Sequence, residues 1–77
     1  MVTCLVDFSA GGNPLADPVM VFYGRSLDNV CVDAREHAGY LGIDPSEIEI
    51  YQILRNPDGD LYLADLFGDA IRSAGRV

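Results

Sequence analysis

The stretch Asn56-Pro57-Asp58-Gly59-Asp60-Leu61-Tyr62-Leu63-Ala64-Asp65 (NPDGDLYLAD) sets three carboxylates and an amide around a Pro and a Gly. Oxygen donors at such short spacing are what a hard cation such as calcium takes as ligands. Counted from Asn56, a calcium-binding loop of the EF-hand type would use Asn56, Asp58 and Asp60 as its first donors. It would also need Gly at its sixth position and Glu at its twelfth, where this chain has Leu61 and Phe67. The pattern fails where the loop geometry is set. Pro at the second position and a Gly able to supply a positive φ are instead the chemistry of a hairpin turn. The stretch therefore predicts a turn between two strands, with Asp58 and Asp60 as surface charge.

The other reactive side chains are Cys4, Cys31 and the single histidine, His37. A Cys–His nucleophile needs the two groups within hydrogen-bond reach. Cys31 and His37 are six residues apart in a helical pattern, which sets them roughly 240° apart around the axis, at about 100° per residue. They cannot pair. Cys4 falls on the apolar side of an alternating segment and reads as a core thiol, while His37 reads as an exposed, solvated side chain. A zinc site built from Cys4, Cys31 and His37 would lack the close ligand spacing such sites use. Gly11-Gly12 is followed by Asn-Pro rather than by a Lys-Ser or Lys-Thr pair opening a helix, so no phosphate loop is formed. Ser9 has no identifiable His and Asp partners. The residues thus point to a non-enzymatic chain that needs neither cofactor nor metal.

The elements that would position these groups follow from periodicity. Val2, Cys4, Val6 and Phe8 alternate with Thr3, Leu5 and Asp7, the period-two pattern of a strand with one more apolar face. Residues 9–18 (SAGGNPLADP) concentrate loop-forming types, and Val19 to Tyr23 is a second β-prone run closed by Gly24. Ser26 is a candidate N-cap. Behind it Leu27, Val30, Cys31, Ala34, Ala38 and Leu41 form one apolar stripe at helical period, opposite Asp28, Asn29, Asp33, Arg35, Glu36 and Tyr40. Gly39 or Gly42 can supply the left-handed residue that ends the helix.

Asp44-Pro45-Ser46-Glu47 resembles a helix start, yet Ile48 to Arg55 is β-branched, aromatic and alternating, which predicts a turn leading into a strand. Leu61 to Ala64 resumes as the partner strand. Leu63, Phe67, Ala70, Ile71 and Ala74 recur at helical spacing, so a short C-terminal helix capped by Asp65 is expected, weakened by Gly68. No internal repeat and no linker divide the chain. The expected architecture is one α+β domain over residues 1–77 with two layers: an antiparallel sheet of about four strands in the order β-β-α-β-β, and one long helix laid on one face.

Composition bounds the function. An apolar fraction of 49% with 22% charged residues describes a folded globular chain rather than a disordered one. No apolar run approaches the ~18 residues that cross a bilayer, and the first residues lack the basic and apolar regions of a signal peptide. The expectation is a cytoplasmic protein without membrane contact, its two cysteines free thiols. Twelve Asp and Glu stand against five Arg and no Lys, for a net charge of −7. Direct nucleic-acid binding, which needs clustered cations, is disfavoured. Residues 44–69 hold seven of the acids and one Arg.

Such charge can serve solubility alone. It can equally steer the chain onto a protein partner with a basic surface. The candidate partner-binding carboxylates are Asp28, Asp33 and Glu36 on the outer helix face, with Glu47, Glu49, Asp58, Asp60 and Asp65 beyond it. A small acidic chain without catalytic residues, built as strands around the one helix SLDNVCVDAREHAGYLG, resembles the phage-encoded inhibitors typified by anti-CRISPR proteins. That resemblance lies in architecture and charge and carries over no residue by position. It implies an inhibitor that covers a basic nucleic-acid channel of an effector complex, a nucleic-acid mimic in the broad sense. The alternative is a structural domain that self-associates through a strand edge or an apolar patch such as Tyr51, Ile53 and Tyr62.

Overall fold

The computed structural model describes residues 1–9 and 19–75, with side chains described as far as residue 71. Residues 10–18 of the expected loop over residues 9–18 lie outside the described residues. The chain is an α+β fold in which one helix lies on a five-stranded antiparallel sheet. Strands β1 (Val2–Asp7) and β2 (Val19–Gly24) precede helix α1 (Leu27–Tyr40). A single 3-10 turn (Pro45–Glu47) then leads into β3 (Glu49–Arg55), β4 (Leu61–Ala64) and β5 (Ala70–Gly75). The sheet order is β2-β1-β3-β4-β5, so β2 and β5 are its edges and β1 and β3 pair at its centre.

Alternation in β1 sets the layers. Cys4, Val6 and the following Phe8 are fully buried, whereas Thr3, Leu5 and Asp7 face the other way and are only half-buried. The ladders carry this division across the sheet: Cys4 pairs with Phe22 and Gln52, Val6 with Met20 and Ile50, and Leu5 with Val21 and Tyr51. Phe22, Met20, Ile50 and Gln52 therefore lie on the helix side, and Val21 and Tyr51 on the open side.

Helix α1 begins where the sequence places it. The Ser26 hydroxyl accepts from the backbone N–H of Asn29 (3.2 Å), satisfying one donor of the first turn. Val30, Cys31, Ala34 and Ala38 are buried, and Leu41 caps the end before Gly42 turns the chain at φ +73°. The small side chains of Ala34 and Ala38 let the helix sit close over β1 and β2, where they meet Val6, Phe8 and Ile43 in one buried cluster. Truncating a fully buried Phe such as Phe8 costs about 3–5 kcal/mol in comparable cores.

His37 departs from its expected solvated position. It is half-buried, its ring 5.6 Å from that of Phe8 and 5.7 Å from that of Phe22, and these two rings are themselves 6.1 Å apart. One turn on from Ala34 and next to Ala38, its imidazole body completes an aromatic layer over the sheet. Cys4 and Cys31 are free and buried between helix and sheet, as their positions in the two patterns predict.

The C-terminal helix is replaced by β5. What read as a helix cap at Asp65 is a second hairpin turn built like the first. In the first, Asn56 N–H donates to the Asp60 carbonyl, Gly59 N–H to the Asn56 carbonyl, and Asp60 N–H to Asn56 Oδ1, each at 2.9 Å. In the second, Asp65 N–H donates to the Asp69 carbonyl (2.9 Å), Gly68 N–H to the Asp65 carbonyl (3.1 Å), and Asp69 N–H to Asp65 Oδ1 (2.9 Å). Gly59 and Gly68 sit at φ +91° and +93°. Gly68, a defect in a helix, is the residue such a turn requires. The chain therefore carries a short repeat after all, Asn56-x-x-Gly59-Asp60 and Asp65-x-x-Gly68-Asp69.

Candidate functional site

Chain direction sorts the charges to the two ends of the sheet. β1 and β4 run one way and β2, β3 and β5 the other. One end therefore gathers the finish of β1, the segment after α1, the start of β3 and the β4–β5 turn. Six of the twelve acids fall there: Asp7, Asp44, Glu47, Glu49, Asp65 and Asp69. No Arg or Lys occurs in residues 7–9, 41–49 or 65–71. Arg25 and Arg55 lie at the opposite end with the Asn56–Asp60 turn.

The eight carboxylates expected to bind a partner do not form one surface. Asp28, Asp33 and Glu36 are exposed on the outer face of α1. Asp58 and Asp60 are exposed at the far hairpin, where Arg55 Nη1 donates to the Gly59 carbonyl. Glu47 is exposed in the 3-10 turn and Glu49 opens β3, both at the acidic end. Asp65 is half-buried and its carboxylate already accepts from the N–H groups of Phe67 and Asp69, at 2.9 Å each. It is a turn-forming group first.

Glu49 belongs to a more organised site. It stands directly across the β1–β3 ladder from Asp7 on the open face of the sheet. Asp7, Glu49, Tyr51, Leu63 and Ile71 line a hollow of about 320 Å³. Leu63, 4% exposed, forms an apolar wall with the more exposed Ile71. The Tyr51 hydroxyl donates to Glu49 Oε2, and the Ser9 N–H donates to Asp7 Oδ1 at 2.8 Å. Hydrogen bonds from the Ser9 side chain and backbone hold the Asp7 carboxyl below the usual range, so it stays ionised. Asp44 is held down likewise by the backbone and hydroxyl of Ser46, whose N–H and O–H donate to it at 2.9 Å.

Sequence reasoning passed over Asp7 because it sits alone, far in sequence from the acids of residues 44–69. The signal was its place on the polar side of the β1 alternation, but only the ladder register puts Glu49 opposite it. Tyr51 and Ile53 do share the open face, whereas Tyr62 pairs with Leu54 on the helix side. They do not make one patch. The exposed apolar surface runs instead along edge strand β2, at Val19, Val21 and Tyr23, and at Phe67, which projects from the β4–β5 turn 93% exposed.

Burial, and then the neighbouring Cys31, push the Cys4 thiol above its ordinary value. That is the opposite of what a thiolate nucleophile needs. Among the described residues no group of three or more His, Cys, Asp or Glu side chains is placed to hold a metal ion. No helix among them is long and apolar enough to cross a membrane. No family model, curated protein or solved structure matches this chain.

Proposed function

We propose that this chain is a non-enzymatic protein-binding module whose acidic end meets a basic surface on a partner, and that the surface is one the partner uses for nucleic acid. The observation that carries this reading is the concentration of six carboxylates at one end of the sheet, in segments (residues 7–9, 41–49 and 65–71) that themselves hold no Arg or Lys, with Arg72 following in β5. Ionised groups fixed on strands and tight turns are better suited to charge recognition than the same number scattered on flexible loops. The inhibitor resemblance agrees with it, since carboxylates presented to a basic channel compete with phosphates for the same cations. Two buried free thiols accord with action in the reducing cytoplasm.

The test is affinity capture at graded salt, followed by a nucleic-acid-binding assay on the captured protein with and without this chain. Capture should weaken as salt rises, and should be lost when Glu47 and Glu49 are both changed to Lys. Retained capture by that variant, or unimpaired nucleic-acid binding by the captured protein, rejects the reading.

Edge strand β2 favours a second reading, self-association. Its six residues, VMVFYG, carry no charge and no Pro, the usual guards against edge pairing, and its open face is exposed. Light scattering across concentration and salt separates the two. Association through β2 survives high salt, whereas charge-driven partner binding does not.

A further inference from the structure

We infer that β2 is the interface of a two-fold dimer, in which it pairs antiparallel with β2 of a second copy and joins two five-stranded sheets into one. The inference deepens the self-association reading given above and rests on it. The two edges of the sheet differ. β5 carries Arg72, and its ladder with β4 shifts register twice. A charge and a bulge are both devices that keep an edge from pairing. β2 has neither: its six residues hold no charge and no Pro, and its register with β1 runs unbroken from Val19 to Gly24. In a chain with a net charge of −7, this regular edge is left uncharged. Among the described residues β2 pairs with β1 alone.

The chemistry of the edge chooses the occupant. Val19, Val21 and Tyr23 are all exposed on the open face, so a facing strand must offer apolar side chains at every second position. Another β2 does so. Opposed residues of an antiparallel pair share a face, and centring the ladder on Val21 sets Val21 against its own copy and Val19 against Tyr23 in both directions. Beside Tyr23, a hollow of about 390 Å³ lined by Met1, Tyr23, Gly24 and Arg25 then receives Val19 of the other copy. Charge selects the same arrangement. β2 starts opposite Asp7, at the acidic end, and finishes next to Arg25. Antiparallel pairing brings Arg25 of each copy to the acidic end of the other, whereas parallel pairing would set acids against acids. The pairing is isologous and uses up both β2 edges, so the assembly closes as a dimer. A single strand pair lies at the small end of interfaces, below about 1,200 Å², and the dimer is therefore reversible.

The experiment is sedimentation equilibrium of the whole chain from about 10 μM to about 1 mM. It compares the unaltered chain, Val21→Lys, Val21→Glu and an equimolar mixture of the two variants. The unaltered chain should dimerise, and more tightly as salt rises, because screening relieves the repulsion of two copies each at −7. Each variant alone should dimerise at least about tenfold more weakly, since like charges then oppose each other at the axis. Their mixture should recover the dimer, because an ammonium then faces a carboxylate, a rescue that misfolded variants could not give. Ile71→Lys, exposed on the opposite edge, should dimerise as the unaltered chain does.

A monomer at every concentration overturns the dimer and the self-association reading together, even where a foreign extended segment is found to occupy β2. Self-association that both Val21 variants retain, that their mixture fails to restore, or that Ile71→Lys abolishes removes the β2 ladder and leaves self-association through another surface.

Discussion

Asp7 lies directly across the β1–β3 ladder from Glu49, a pair of carboxylates on the last rung between two inner strands, where an apolar or opposite-charge pair would be more stable. Glu49→Gln removes one of the charges and keeps an acceptor for the Tyr51 hydroxyl. It should therefore raise unfolding stability, by about 0.2–1 kcal/mol at low ionic strength. The gain should shrink in 1 M salt, where screening weakens the repulsion. Urea titrations at the two salt concentrations check this. A stability loss at low salt would mean that the pair is not in conflict.

Asp7 also sets a pH dependence. Its folded-state pKa is depressed by the hydroxyl and N–H of Ser9, so the native state binds its proton less readily than the unfolded chain. The stability this supplies is fully present above the unfolded value of about 3.9 and is lost as pH falls through the lower folded value. Asp44, depressed by Ser46, acts in the same direction. Asp7→Asn and Asp44→Asn should each flatten the acid limb of a stability-versus-pH curve below about pH 4 and leave its slope near neutrality unchanged. Urea midpoints from pH 2 to 7 measure it, and an unaltered acid limb in both variants would refute it.

Cys4 gives the complementary alkaline limb. Burial and the nearby Cys31 raise its folded pKa, so its contribution to stability holds below the unfolded value and is lost as pH rises through the folded one. The native thiols should react with a disulfide reagent only as fast as the protein opens, and promptly in denaturant. Rapid labelling of native protein at neutral pH would show that the thiols are not enclosed.

Where local chemistry and tertiary demand agreed, the fold was legible. The Ser26 cap, the stripe from Leu27 to Leu41 and the alternation of β1 each name their element, and the packing of α1 on β1 and β2 follows from their apolar faces. Phe67, Ala70 and Ile71 misled because their helical spacing is accidental. The segment is a turn and a strand, and the informative residues were Gly68 and Asp69, which repeat Gly59 and Asp60 nine positions on. His37 was misplaced because helical arithmetic gives its direction and not the reach of Phe8 and Phe22. The hollow was illegible for a different reason: Asp7 and Glu49 are far apart in sequence, and only strand register unites them.

The aromatic layer predicts a contrast between two phenylalanines. Phe8→Ala opens a cavity against Phe22 and His37 and should cost about 3–5 kcal/mol. Phe67→Ala, at an exposed turn tip, should change stability by no more than about 0.5 kcal/mol. Comparable losses from the two would show that the turn tip is packed rather than projecting.

Alanine at four glycines makes the strongest test of the five-stranded fold, because the signs differ. At Gly59 and Gly68, alanine must adopt φ +91° and +93°, so each variant should lose about 1–2 kcal/mol although nothing stands within 4 Å of either Cβ. At Gly39, inside α1 with equally open space, alanine should instead stabilise by about 0.5–1 kcal/mol. Gly24→Ala would place its Cβ 2.8 Å from Val30 Cγ2, at the crossing of β2 and α1, and should destabilise by about 1–3 kcal/mol through overpacking. Chemical denaturation of the four variants reads all of this. The decisive member is Gly68: a C-terminal helix over residues 65–75 would make its alanine variant more stable, like Gly39, whereas the β4–β5 hairpin makes it less stable, like Gly59.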